Sequence, residues 1–61
     1  MNGYIVFFNY KSGHREFGFY SDLEEAKRRM SWAINDSVIY GSKVEIGIAE
    51  ILTSEKINWN E

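Results

Sequence analysis

The chain contains no cysteine and no proline, and His14 is its single histidine. Without cysteine no disulfide can form, and a structural zinc site is not expected because such sites use cysteine and histidine ligands. We therefore predict no metal and no cofactor. The lack of cysteine is also compatible with a reducing compartment, so we expect a cytoplasmic protein.

Long apolar runs and an excess of positive charge are missing too. No run approaches the roughly 18 residues of a membrane span, and the start lacks the pattern of a signal peptide, so we expect no membrane partner. Lys and Arg number 7 against 9 Asp and Glu, for a formal charge of −2. This balance argues against a general nucleic-acid binder, although a local basic patch could still act as one.

The length of 61 residues allows one domain, 1–61. A chain of this size buries only about 60% of the surface that it exposes when unfolded, so its core supplies little net stability. Small domains compensate with disulfides, a metal or a partner subunit. Since the composition argues against the first two, we predict self-association as a homodimer.

The first 20 residues predict a β-hairpin. Residues 4–10 are mostly β-branched or aromatic, and both alternating sets are apolar, which is typical of a central strand covered on both faces. Gly13 marks the turn, because glycine adopts the left-handed backbone that tight turns need. Residues 15–20 then form the returning strand.

The length of the hairpin loop decides which side chains share a face. A two-residue loop at residues 12–13 places four apolar side chains on one face: Val6, Phe8, Phe17 and Phe19. A three-residue loop shifts the register by one residue and exchanges the faces of the second strand. We prefer the two-residue loop because these four side chains would then meet the helix. The opposite face would carry Ile5, Phe7 and Tyr20, beside Gly18, Gly47 and Ala49.

A helix beginning at Ser21 is the most clearly marked element. Ser21 and Glu24 have the spacing of a capping box, in which each side chain accepts a hydrogen bond from the other's backbone N–H. Apolar residues follow at helical spacing and form one stripe: Leu23, Ala26, Met30, Ala33 and Ile34. Residues 35–37 should end the helix. We prefer a loop for residues 38–42, with a second hairpin or a helix continuing to Tyr40 as alternatives.

Residues 43–52 alternate between apolar and polar or small side chains and predict the last strand. Val44, Ile46 and Ile48 would face the core. Residues 55–61 read as a tail or a short extra strand, in which we expect Trp59 to pack on this chain or on a neighbour. The prediction is an α+β fold with the order β-β-α-β, a three-stranded antiparallel sheet in the order 2-1-3, and one helix on one face.

One helix cannot cover both faces of the first strand, so the main functional hypothesis concerns the face left open. We predict a small non-catalytic interaction module, of adaptor or inhibitor type, that self-associates through this face. The predicted interface residues are Ile5, Phe7, Tyr20, Arg28, Arg29, Trp32 and Trp59. Trp32 is interpreted either as an edge residue of the helix–sheet contact or as an exposed anchor beside the two arginines.

Nucleic-acid or nucleotide binding is the alternative function. Aromatic side chains on an open sheet can stack bases, and Lys11, His14 and Arg15 cluster at the hairpin tip. The simpler interpretation is that these three are solvated turn residues. Another protein as partner is a further alternative. We predict no catalytic residues, because His14 lacks a nucleophile motif to act with and the glycines are scattered.

Overall fold

The computed structural model describes residues 3–60. The elements in chain order are β1 (Gly3–Tyr10), β2 (Arg15–Tyr20), α1 (Leu23–Tyr40) and β3 (Val44–Ile51). β1 lies between β2 and β3 and is antiparallel to both, which gives the sheet order β2-β1-β3. The predicted α+β fold, with this strand order and one helix, is confirmed. The helix of the described chain, α1, is not apolar enough to cross a membrane.

The hairpin between β1 and β2 closes through three residues, Lys11 to Gly13, so the preferred two-residue loop is wrong. The Gly13 N–H donates to the Tyr10 carbonyl at 2.8 Å, and the Tyr10 N–H donates to the His14 carbonyl at 2.9 Å. Gly13 has a φ of 101°, as three-residue hairpin loops commonly require at their last position. A two-residue loop would need positive φ at Ser12 as well, which costs a non-glycine residue about 1–2 kcal/mol.

The longer loop shifts the β1–β2 register by one residue from the prediction. The pairs across these strands are Ile5–Phe19, Val6–Gly18 and Phe7–Phe17. Phe17 and Phe19 therefore lie on the sheet face away from α1, whereas they were predicted to meet it. Tyr20 was predicted on the open face but lies on the α1 side, where it packs against the core and its ring covers Gly18.

α1 begins at Leu23, with Asp22 as its N-cap residue in an extended conformation. The predicted capping box at Ser21 is wrong, because the helix begins too late for Glu24 to occupy the third helical position. Asp22 makes no side-chain cap hydrogen bond. Aspartate is nevertheless a favoured N-cap residue, and two acidic residues, Glu24 and Glu25, follow in the first turn, where the helix dipole favours negative charge.

α1 continues to Tyr40, so the preference for a loop over residues 38–42 is wrong and the helical alternative is right. The polar run at residues 35–37 lies within the helix, where the Ser37 hydroxyl donates to the Ile34 carbonyl at 2.9 Å. The helix ends at Gly41, which has a left-handed φ of 67°. The Gly41 and Ser42 N–H groups donate to the Val38 and Ser37 carbonyls at 3.4 and 2.9 Å, as in a Schellman motif.

Replacing Gly41 by alanine is expected to lower the free energy of unfolding by about 1–2 kcal/mol, because a Cβ disfavours the left-handed backbone. No atom lies within 4 Å of the added Cβ, so the loss comes from the backbone alone. Gly41→Asn is the matched control and should lose less, since asparagine adopts this conformation more readily. Urea denaturation measures both variants, and equal losses would contradict the explanation.

The core lies between α1 and the sheet and is small. Four apolar residues of the described chain are buried: Val6, Phe8, Ala26 and Ala33. Half-buried apolar side chains surround them, namely Tyr4, Tyr10, Tyr20, Met30, Val44, Ile46 and Ile48. The predicted core face of β3 is thus confirmed. Because the helix meets the sheet largely through alanines, α1 approaches closely enough to bury Val6 completely, yet it contributes little apolar volume.

Candidate interaction surface

The sheet face turned away from α1 remains accessible within residues 3–60, and we call it the open face. Its apolar part draws on all three strands: Ile5 and Phe7 from β1, Phe17 and Phe19 from β2, and Gly47, Ala49 and Ile51 from β3. Phe17 and Phe19 are 63% and 74% exposed. Contiguous apolar surface of this kind is typical of a contact site.

The side chains at the two edges of the open face differ in size. Phe17 and Phe19 project from β2, whereas the residues at the same levels of β3 are Gly47 and Ala49. On the middle strand, the far edge of the Phe7 ring lies over Gly47 and leaves no room there for a Cβ. The open face therefore has a high edge, where two phenyl rings project, and a lower edge, where the Phe7 ring covers Gly47 and Ala49 presents only a methyl group.

A polar row closes the open face at the hairpin end of the sheet. Arg15, Asn9 and Glu45 lie side by side on β2, β1 and β3. The Asn9 Nδ2 donates to the Glu45 Oε1 at 2.9 Å, which holds that carboxylate beside the middle strand. The two edges of the open face thus carry charges of opposite sign, positive at the high edge and negative at the low edge.

At the other end of the open face the chain leaves β3 and borders a shallow hollow of about 350 Å³. Phe19 and Ile51 line this hollow together with Ser54 and Lys56. Residues 52–60 form no strand and end in turns. The Lys56 ammonium lies 4.9 Å from the Trp59 ring centroid, and Trp59 is 70% exposed. On this chain Trp59 contacts the tail, and its packing on a neighbour stays a prediction.

A second candidate surface lies on α1, where Arg29 and Trp32 stack. The Arg29 guanidinium carbon is 4.7 Å from the Trp32 ring centroid and 5.3 Å from that of Phe8, both within cation–π range. Trp32 is 61% exposed. Trp32 thus borders the helix–sheet contact through Arg29 and remains accessible, and its role as a binding anchor stays a prediction. Arg28, the other predicted arginine, is exposed.

The cleft between Arg29 and the sheet is too small to hold an organic ligand. It encloses about 70 Å³, room for roughly two water molecules. The Arg29 Nη1 is buried there without a hydrogen-bond partner among residues 3–60. Its charge is instead placed between two aromatic rings, so Arg29 joins α1 to the sheet and orients Trp32.

The predicted nucleic-acid contacts do not form one basic patch. The His14 Nε2 lies 2.9 Å from the Glu16 Oε2, and both side chains are more than half exposed. Arg15 belongs to the open face, one residue along the strand. Lys11 remains at the hairpin tip, where its backbone N–H donates to the Lys43 carbonyl at 3.0 Å. The hairpin tip therefore includes Lys43, which was not predicted there, and does not include Arg15, which lies on the open face.

Phe17 and Phe19 belong to the open face but were assigned to the core from sequence, because the preferred loop was one residue too short. The signal that could have placed them is Ser12, since glycine or asparagine is favoured where a two-residue loop needs its first left-handed residue. Among residues 3–60 no group of three histidine or acidic side chains is placed to hold a metal ion.

Comparison of the chain with protein-family models, with curated proteins and with solved structures gave no match. The surfaces of the chain itself are therefore the basis for assigning a function. Of these, the open face has the largest apolar side chains in the most exposed positions of the sheet.

Proposed function

We propose that this chain is a small protein-interaction module that pairs with a second copy of itself through the open face. The observation that carries the proposal is the exposure of Phe17 and Phe19, at 63% and 74%, beside Phe7 on a sheet face away from α1. Burial of apolar surface lowers the free energy by about 25 cal/mol per Å², so covering two phenyl rings per copy favours association.

The overall dimensions support a partner. The chain exposes 5140 Å² of surface, whereas a compact monomer of 7.2 kDa exposes about 4,100 Å². Its radius of gyration is 13.7 Å, against about 10.5 Å for a compact domain of this length. Phe17 and Phe19 on the open face belong to this exposed surface. A second copy on the open face would convert β1 into a strand covered on both sides.

The size of the open face sets the expected affinity. Three strands of about six residues each cover roughly 15 by 20 Å. This is less than the interface of about 800 Å² per partner that stable complexes form. We therefore expect a dissociation constant in the micromolar range, with a dimer that forms and separates readily.

Sedimentation velocity of the full chain tests the proposal. Over about 5–200 µM, a range that brackets micromolar affinity, the weight-averaged sedimentation coefficient is expected to rise from that of a monomer toward that of a dimer. A coefficient that stays at the monomer value across this range would refute self-association. Assembly larger than a dimer would show that edges of the sheet, rather than one face, make the contact.

Nucleic-acid binding is the second candidate, and the observed register favours it more than the predicted register did. The register places Phe17 and Phe19 on the same strand and face as Arg15, where stacked bases could meet a cation. Against it, Glu45 occupies the same polar row, and the formal charge of the chain is −2. Anisotropy of a labelled single-stranded oligonucleotide decides: binding at low salt that weakens with added salt supports this function, and its absence removes it.

A further inference from the structure

We infer that the two copies of the dimer are related by a two-fold axis parallel to β1, so that β2 of each copy lies over β3 of the other. The inference rests on the proposed self-association through the open face and adds its geometry. Stacked sheets in aligned packing keep their strands within about 30° of each other. A two-fold axis between two such faces therefore runs either along the strands or across them.

An axis along the strands brings the unlike edges of the two open faces together. Each row of residues paired across the three strands then faces the same row of the second copy, with β2 opposite β3. The facing pairs are Arg15 with Glu45, Phe17 with the Phe7 ring that covers Gly47, and Phe19 with Ala49. The high edge of each copy thus lies on the low edge of the other, and every arginine meets a carboxylate.

An axis across the strands brings like edges together instead. Centred on Phe17, it places the two Phe17 rings against each other and Arg15 against Phe19 of the second copy. Centred between Phe17 and Phe19, it places each of these rings against the other kind, while Ala49 on the two β3 strands leaves a gap. Gaps lose dispersion contacts and a charge without a partner is costly to bury, so the axis along the strands is favoured.

Two charge reversals test the axis, Arg15→Glu and Glu45→Arg. Each alone replaces both attractive pairs of the dimer by pairs of like charge, and we expect the dissociation constant to rise about tenfold. In a mixed dimer of the two variants, both pairs again join opposite charges. An equimolar mixture should therefore associate as the wild type does, with mixed dimers dominating in native mass spectrometry.

The matched control is Glu16→Arg. It makes the same substitution as Glu45→Arg and lies next to Arg15, but on the α1 side of the sheet. It should leave the dissociation constant unchanged. A mixture of the two test variants that stays as weak as each alone overturns the axis. If Phe19→Glu still abolishes association in that case, the open face remains the interface and only its geometry is wrong. A monomeric wild type overturns both proposals.

Chemical cross-linking provides an independent measurement of the same geometry. The chain has no cysteine, so a maleimide reacts only with the single cysteine introduced into each chain, and a cross-link identifies one pair of positions. Arg15→Cys and Glu45→Cys chains, mixed and treated with a short bifunctional maleimide, are expected to link to each other rather than to their own kind. Preferential linkage of Arg15→Cys chains to one another would contradict the axis, because an axis along the strands keeps the two β2 strands apart.

Discussion

Phe19→Glu is expected to produce a folded monomer from a chain that otherwise self-associates. Phe19 is 74% exposed in the single chain, so its replacement should change the free energy of unfolding by no more than about 0.5 kcal/mol. In the dimer the same change removes a buried phenyl ring and places a carboxylate against apolar surface. The dissociation constant should therefore rise at least about 100-fold. Sedimentation velocity measures the association, and urea denaturation confirms the fold.

Val38→Glu is the matched control for this variant. Val38 is 75% exposed and lies near the end of α1, so the substitution adds the same charge at a comparable apolar position away from the open face. Its dissociation constant should equal that of the wild type. Equal weakening in the two variants would mean that net charge, and not the contact, limits association. Undiminished association of Phe19→Glu would show that the open face is not the interface.

Phe8→Ala is expected to lower the free energy of unfolding by about 3–5 kcal/mol, and Phe17→Ala by less than about 1 kcal/mol. Phe8 is 7% exposed and Phe17 is 63% exposed, so only the first substitution leaves a cavity between α1 and the sheet. A domain of this length has a total stability of about 3–9 kcal/mol. The Phe8 variant should therefore lose from about a third to all of its stability, while the Phe17 variant keeps most of it and retains its helical circular dichroism.

This pair of variants also tests the register of the hairpin. With a two-residue loop, Phe8 and Phe17 would share the core face, and both substitutions would be severe. Thermal unfolding should be followed at a concentration well below the dissociation constant, because dimer formation adds stability by mass action. Similar losses in the two variants would contradict the three-residue loop and return Phe17 to the core.

Much of the fold is predictable because it depends on short-range patterns. The two-sided apolar character of residues 4–10 identifies a central strand, and from that alone the order β2-β1-β3 follows. The alternation along β3 assigns Val44, Ile46 and Ile48 to the core, and the helical stripe identifies α1. Within one element, the side-chain period is set by the backbone, so residues that share a face can be read directly.

The candidate site was predictable only in part. Ile5 and Phe7 were placed correctly, because their strand needs no information from another element. The β2 side chains beside them were predicted on the wrong face of the sheet, since one additional loop residue turns every side chain of that strand to the other face. The interface roles of Tyr20, Arg28 and Trp59 stay predictions, and Tyr20 now faces the core and not the open face.

Local sequence was thus sufficient for the type and order of the elements and for the core faces of β1 and β3, because these depend on periods of two and of 3.6 residues. Tertiary structure decided how the elements meet. The left-handed backbone at Gly13 sets the register that exposes Phe17 and Phe19. The left-handed cap at Gly41 ends α1 beyond the polar run at residues 35–37. Contacts with Phe8 and Trp32 place Arg29 between two rings. The contact of Arg29 with Phe8 joins a helix to a strand, and the turn and the cap depend on single backbone conformations, neither of which a periodic pattern encodes.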